Sequence, residues 1–192
     1  MRERLHRLRR VLRDDDVRSI SRRYFVSNGF DGTLTSIGVV VGAYLSGVPD
    51  GTTVFKVGVG AAVGLATSGV WSVWEIERAE TKLEVLRLED AMLADLDDTR
   101  IEREKRGERV VHAVLSGLGP VVGVLVPLSP FLLEGAVFTL LEATVVGVLL
   151  GAGLLFAFGA YLGNLSEQSW LVAGARMGLA GLVVAAVNVL LG

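Results

Sequence analysis

Apolar residues in this chain gather in long unbroken runs and do not alternate with polar ones. Five runs stand out: about Tyr24–Val48, Thr53–Trp74, Val110–Leu128, Gly135–Leu162 and Trp170–Leu191. A helix needs roughly 20 apolar residues to cross the ~30 Å hydrocarbon core. The pattern therefore predicts an all-α, polytopic membrane protein with five transmembrane helices. A membrane barrel would show alternating polarity, and these runs do not. Pro49-Asp50-Gly51 marks a tight turn between the first two spans. Pro127 and Pro130 punctuate the turn after the third.

Between the second and third runs the pattern changes. Val85, Leu88, Met92 and Leu96 fall on one stripe, widened by Ile76, Leu83, Leu86 and Leu93, while the intervening positions are mostly charged. This spacing predicts a cytoplasmic amphipathic helix between spans two and three, either continuous over 75–108 or broken near Asp98-Thr99. The expected divisions are 1–23, a basic cytoplasmic segment; 24–74, spans one and two; 75–109, a cytoplasmic charged helical segment; and 110–192, spans three to five.

Charge placement adds a direction. Of 19 Lys and Arg, nine lie in positions 1–23 and eight between Arg78 and Arg109, leaving only Lys56 and Arg176 elsewhere. Two crossings put both basic regions on one side, which the positive-inside rule makes cytoplasmic. Five spans then place the C-terminus outside, and a prokaryotic chain of this kind belongs in the plasma membrane. A basic segment beside a span suits anionic lipid headgroups. Without interleaved aromatics it gives no reason to expect nucleic acid. The chain has no cysteine, which removes disulfides and thiolate chemistry. No nucleophile–base pair, nucleotide loop or zinc spacing is present, so no enzyme is expected, nor a tightly bound cofactor. Six glycine pairs spaced by four, Gly38/Gly42, Gly60/Gly64, Gly119/Gly123, Gly147/Gly151, Gly159/Gly163 and Gly174/Gly178, predict close helix packing, mostly within one chain.

Ionisable groups within apolar runs are functional candidates, because hydrocarbon penalises them. Asp31 lies in the first run beside Asn28 and is followed by Thr33, Thr35 and Ser36, a set of oxygen ligands; the plainer alternative is a helix cap. Glu142 is expected well inside the fourth span with no neighbour to pair with, as a possible position on an ion path. Glu77, Glu80 and Glu84 share a helix face, so they are candidate ligands for a hard cation. The competing reading is a solvated face with pairs such as Arg78 and Lys82 among Glu75, Glu77 and Glu80. His112 is read as interfacial, Arg176 as snorkelling, and Met92 as an apolar contact and not a ligand.

Tyr24-Phe25-Val26-Ser27-Asn28-Gly29-Phe30-Asp31-Gly32, followed by Thr35-Ser36-Ile37-Gly38 and Gly42, resembles the first span of the vacuolar iron transporter family. Gly119-Pro120 through Pro127-Leu128-Ser129-Pro130-Phe131 is similar to its third span and proline-rich turn, and Gly159 to Leu191 to its last two spans. The resemblance covers about residues 22–192 and suggests a divergent prokaryotic-type member with a shortened cytoplasmic segment. It implies a homodimer that moves Fe(II) or Mn(II) out of the cytoplasm, against protons, with Asp31 as an ion ligand between the two subunits. Glu77, Glu80 and Glu84 are the residue type with which the family gathers metal on its cytoplasmic side. Where the family's second span carries Met-Ala-x-Gly-Glu-Tyr, this chain has Ala66-Thr67-Ser68-Gly69-Val70-Trp71. The alternative expectation is a divergent membrane scaffold, sensor or carrier of another solute that has lost those ligands.

Overall fold

A computed structural model describes residues 15–92 and 100–191, with the backbone alone over 100–104. Five long helices follow one another: α1 (Asp15–Leu45), α2 (Gly51–Met92), α3 (Arg100–Leu128), α4 (Leu140–Leu165) and α5 (Trp170–Leu191), with a short 3-10 turn at Ser129–Leu133. Residues 1–14 of the basic segment and the expected break at Asp98-Thr99 lie outside the described residues.

The packing is that of a chain solvated by lipid. The positions α5 buries are Gly174, Gly178 and Gly181, while Leu171, Leu179, Val183 and Leu190 on the same helix stand exposed. Large apolar side chains face outward and small ones inward, as expected where hydrocarbon surrounds the bundle and close backbone approach holds it together. Among the described residues, four helices are long and apolar enough to cross a membrane: Gly51–Met92, Lys105–Leu133, Leu140–Leu165 and Trp170–Leu191. The protein is thus a multi-pass membrane protein.

This corrects the expectation of five spans. α1 is not among the four, and the reason lies in its polar residues. Ser21, Thr33 and Ser36 are buried in the bundle, and Asn28 and Asp31 lower its hydropathy further. α1 packs mainly on α3, with Gly29 and Gly32 set against the backbone of Gly119 and Pro120. Its inward face therefore needs smallness and hydrogen bonding, not apolar bulk. The parity that put the C-terminus outside disappears with the fifth span.

The separate amphipathic helix is also corrected. α2 is continuous for 42 residues from Gly51 to Met92, and α3 is already helical at Arg100. Nothing between Trp74 and Met92 stops a helix: the stretch is rich in Glu, Arg, Lys, Leu and Ala, and contains neither Gly nor Pro. Over the described residues, the charged stretch extends two helices.

Helix ends follow local chemistry. α1 ends in a Schellman motif, with Val48 N–H donating to Ala43 O and Gly47 N–H to Tyr44 O, each at 3.1 Å. That motif needs a left-handed residue, and Gly47 has φ +72°. Asp50 caps α2, accepting from Thr53 N–H at 2.8 Å. Glu134, from the loop after the 3-10 turn, accepts Gly51 N–H at 3.3 Å, placing a carboxylate at the positive end of the same helix. A compact apolar core of Val40, Val54, Val124, Leu128 and Phe131 fills the space between α1, α2 and α3 near these turns.

Candidate functional site

Two places in the bundle bring polar side chains together. The first is a bridge across α1, α2 and α3. Pro120 sits inside α3, where its missing N–H leaves the carbonyl of Ser116 without its helical donor. Asn28 Nδ2 lies 3.4 Å from that carbonyl and donates to Ser116 Oγ at 2.6 Å. Ser116 in turn donates to Gly69 O at 2.8 Å. One hydroxyl thus joins three helices, and Asn28, a candidate ion ligand, spends its amide nitrogen on this joint.

The second place is one to two turns further toward the basic end. Tyr24 of α1 donates its hydroxyl to Glu77 Oε1 of α2 at 3.1 Å, and His112 Nδ1 of α3 lies 3.1 Å from the same oxygen. The Tyr24 and His112 rings are 6.0 Å apart. His112 is only 2% exposed, and neither ring nitrogen has a hydrogen-bond partner. Arg109 stacks over Trp74 at 5.5 Å beside this cluster, the pairing expected of an interfacial belt. His112, expected at the interface, is buried against the neighbouring helices.

The remaining candidates separate. Glu80 is exposed. Glu84 pairs with Lys105 at 3.0 Å, and Lys105 also reaches Glu108 at 3.7 Å. The three glutamates thus share a helix face without converging, and among the described residues no three His, Asp or Glu side chains are grouped to hold a metal ion. Glu142 is the third residue of α4, which starts at Leu140 and not at Gly135. Its carboxylate accepts Thr139 N–H at 2.8 Å while Thr139 Oγ1 accepts Glu142 N–H at 3.3 Å, a complete capping box.

Among the described residues Asp31 has no hydrogen-bond or ion-pair partner, and it is exposed on α1. It falls on a stripe with Ser27, Thr35, Gly38 and Gly42, whose small side chains leave the helix surface low. At Gly38 and Gly42 only Asn188 of α5 comes near, at 3.7 and 4.0 Å from where a Cβ would stand. Ala66 and Val70 face Gly117 of α3; Val70 fills the space a side chain at 117 would need.

The profile of the VIT family matches residues 72–192. An uncharacterised protein of Methanocaldococcus jannaschii is 26% identical over 166 residues, covering 85% of this chain and 84% of the relative. No solved structure matches the chain. The Asn28–Gly32 element lies outside the family match, so the assignment does not depend on it.

Proposed function

Because the chain belongs to the VIT family, whose members carry metal ions across membranes and are not enzymes, we propose that it moves Fe(II) or Mn(II) out of the cytoplasm in exchange for protons. Asp31 is the intramembrane ligand in this reading, and the protein works as a homodimer. One observation carries it: on α1 a carboxylate stands exposed, with no partner among the described residues, on a polar, small-residue stripe. α1 is not among the four helices apolar enough to cross a membrane, but it packs within their bundle, where a lone carboxylate is costly unless its stripe faces a water-filled path or a second copy. Two such stripes facing each other would give the ion two carboxylates, with Ser27 and Thr35 oxygens close by. The basic end of the bundle, with Arg18, Arg22 and Arg23, is assigned to the cytoplasmic side.

The purified protein in liposomes tests this. Mn(II) uptake that follows an imposed pH gradient and reverses with it supports exchange. No flux of either ion under any gradient removes the transport reading. A second reading, a relative that has lost transport, is favoured by Val70 and Ala66. Val70→Glu separates the two: flux rises in that variant if the site is weakened, and stays at background if transport has been lost.

A further inference from the structure

We propose that His112 and Glu77 form a second metal site, a loading site at the basic end of the bundle. It takes a transition ion such as Mn(II) or Fe(II) in preference to Mg(II) or Ca(II), and it rests on the transport reading for its role though not for its existence. Buried imidazoles ordinarily place at least one ring nitrogen in a hydrogen bond. His112 is 2% exposed, yet both nitrogens lack one. Nδ1 approaches Glu77 Oε1 to 3.1 Å without the alignment of an N–H···O bond. Two ligands that converge on a third point have that relation. With bonds of about 2.1 Å at a right angle, a nitrogen and an oxygen on one ion stand about 3.0 Å apart.

The surroundings fit a ligand pair. Tyr24 donates to the same Glu77 oxygen at 3.1 Å, the kind of outer contact that fixes the direction of a coordinating carboxylate. His112 also lines a cavity of about 400 Å³ together with Asp16, Ser19, Lys105 and Glu108. The cavity brings solvent to the edge of the imidazole at the polar end, and a small shift of the ring is needed to present a nitrogen to an arriving ion. Lys105, the cation in that cavity, is held by Glu84 at 3.0 Å and Glu108 at 3.7 Å, which offsets its repulsion. Two protein ligands, with water completing the shell, hold an ion loosely, as a cargo that must leave requires. The nitrogen ligand supplies selectivity, chiefly for Fe(II): imidazole suits Fe, Zn, Ni and Cu, whereas Mg(II) and Ca(II) take oxygen shells, and Mn(II), which also favours oxygen, is held here mainly by the carboxylate and water.

The competing explanation is a structural ion pair that ties α2 to α3. Pulsed electron paramagnetic resonance of Mn(II) bound to the full chain in detergent distinguishes the two, because a coordinating imidazole adds a ¹⁴N modulation to the signal. The chain has two histidines, His6 and His112. The modulation is expected in the wild type and in His6→Gln, to survive excess Mg(II), and to vanish in His112→Gln. Glu77→Gln, which keeps an acceptor for Tyr24, is expected to weaken Mn(II) binding on the order of 10-fold or more. It serves as the second variant should His112→Gln fail to fold. Bound Mn(II) without ¹⁴N modulation in the wild type, modulation persisting in His112→Gln, or unchanged affinity in Glu77→Gln overturns the site. The outcome separates cleanly from transport: flux without modulation removes the site alone, and modulation without flux removes the transport reading alone.

Discussion

Ser116→Ala removes a buried side chain that joins three helices, and its cost follows from the bonds it makes. The hydroxyl accepts from Asn28 at 2.6 Å and donates to Gly69 O at 2.8 Å, and it is fully buried. Interhelical hydrogen bonds in membrane proteins contribute about 0.6 kcal/mol on average and up to about 1.7. Two of them place the loss at about 1–3 kcal/mol, without a sizeable cavity term, since only an oxygen is removed. Equilibrium unfolding in mixed micelles, followed by circular dichroism, measures it. Ser129→Ala is the control: its hydroxyl bonds Val126 O within its own turn at 2.8 Å and is exposed, so a change within about 0.5 kcal/mol is expected. Asn28→Ala should overlap with Ser116→Ala, the double variant costing less than the sum of the two. A Ser116→Ala protein as stable as the Ser129→Ala control, or strict additivity with Asn28→Ala, refutes the joint.

Other outcomes follow from single positions. Gly123→Ala would set a Cβ 2.9 Å from Thr33 N and 3.0 Å from its Oγ1, so α1 and α3 must separate; a loss of about 1–3 kcal/mol is expected in the same unfolding assay. Gly60→Ala meets nothing within 4 Å, and better helix propensity should raise stability by up to about 1 kcal/mol. Thr139→Ala breaks the cap of α4 and should cost about 1 kcal/mol, whereas Glu142→Gln keeps the capping box and should leave ion flux in liposomes unchanged. The Thr53 N–H and hydroxyl hold the Asp50 carboxylate below its ordinary value. The stabilisation is therefore present above the usual Asp range, ~3.9, and is lost as pH falls through the lower folded value. Melting temperature should fall less steeply with acid in Asp50→Asn than in the wild type.

Much of the architecture was legible because lipid leaves long apolar runs: α2 through α5 each contain or overlap one, although α2 and α3 continue beyond theirs into the charged stretch. The outlier is α1, whose hydropathy reflects neighbours that sequence does not show: Ser21, Thr33 and Ser36 are tolerated because other helices cover them. The glycine spacing was informative where backbones meet, as at Gly119/Gly123 against α1 and Gly159/Gly163 against the start of α5, but not at Gly60/Gly64, which faces open space. Glu142 carried a readable signal that periodicity alone passes over: Thr139-Leu140-Leu141-Glu142 has the spacing of a capping box. Glu77 was legible as a candidate cation ligand, but its meeting with His112 was not. They are 35 positions apart, and they meet only because α2 remains helical past its apolar run and stays packed against α3.

Asp31 is where the account is most exposed, since its role comes from a carboxylate with no partner among the described residues, on an open stripe. Mn(II) uptake into liposomes containing wild-type protein, compared with equal amounts of Asp31→Asn, tests it directly. Uptake is expected in the wild type and expected to fall to the level of empty liposomes in the variant, with helical content unchanged. Equal uptake by the two proteins would contradict Asp31 as the intramembrane ligand.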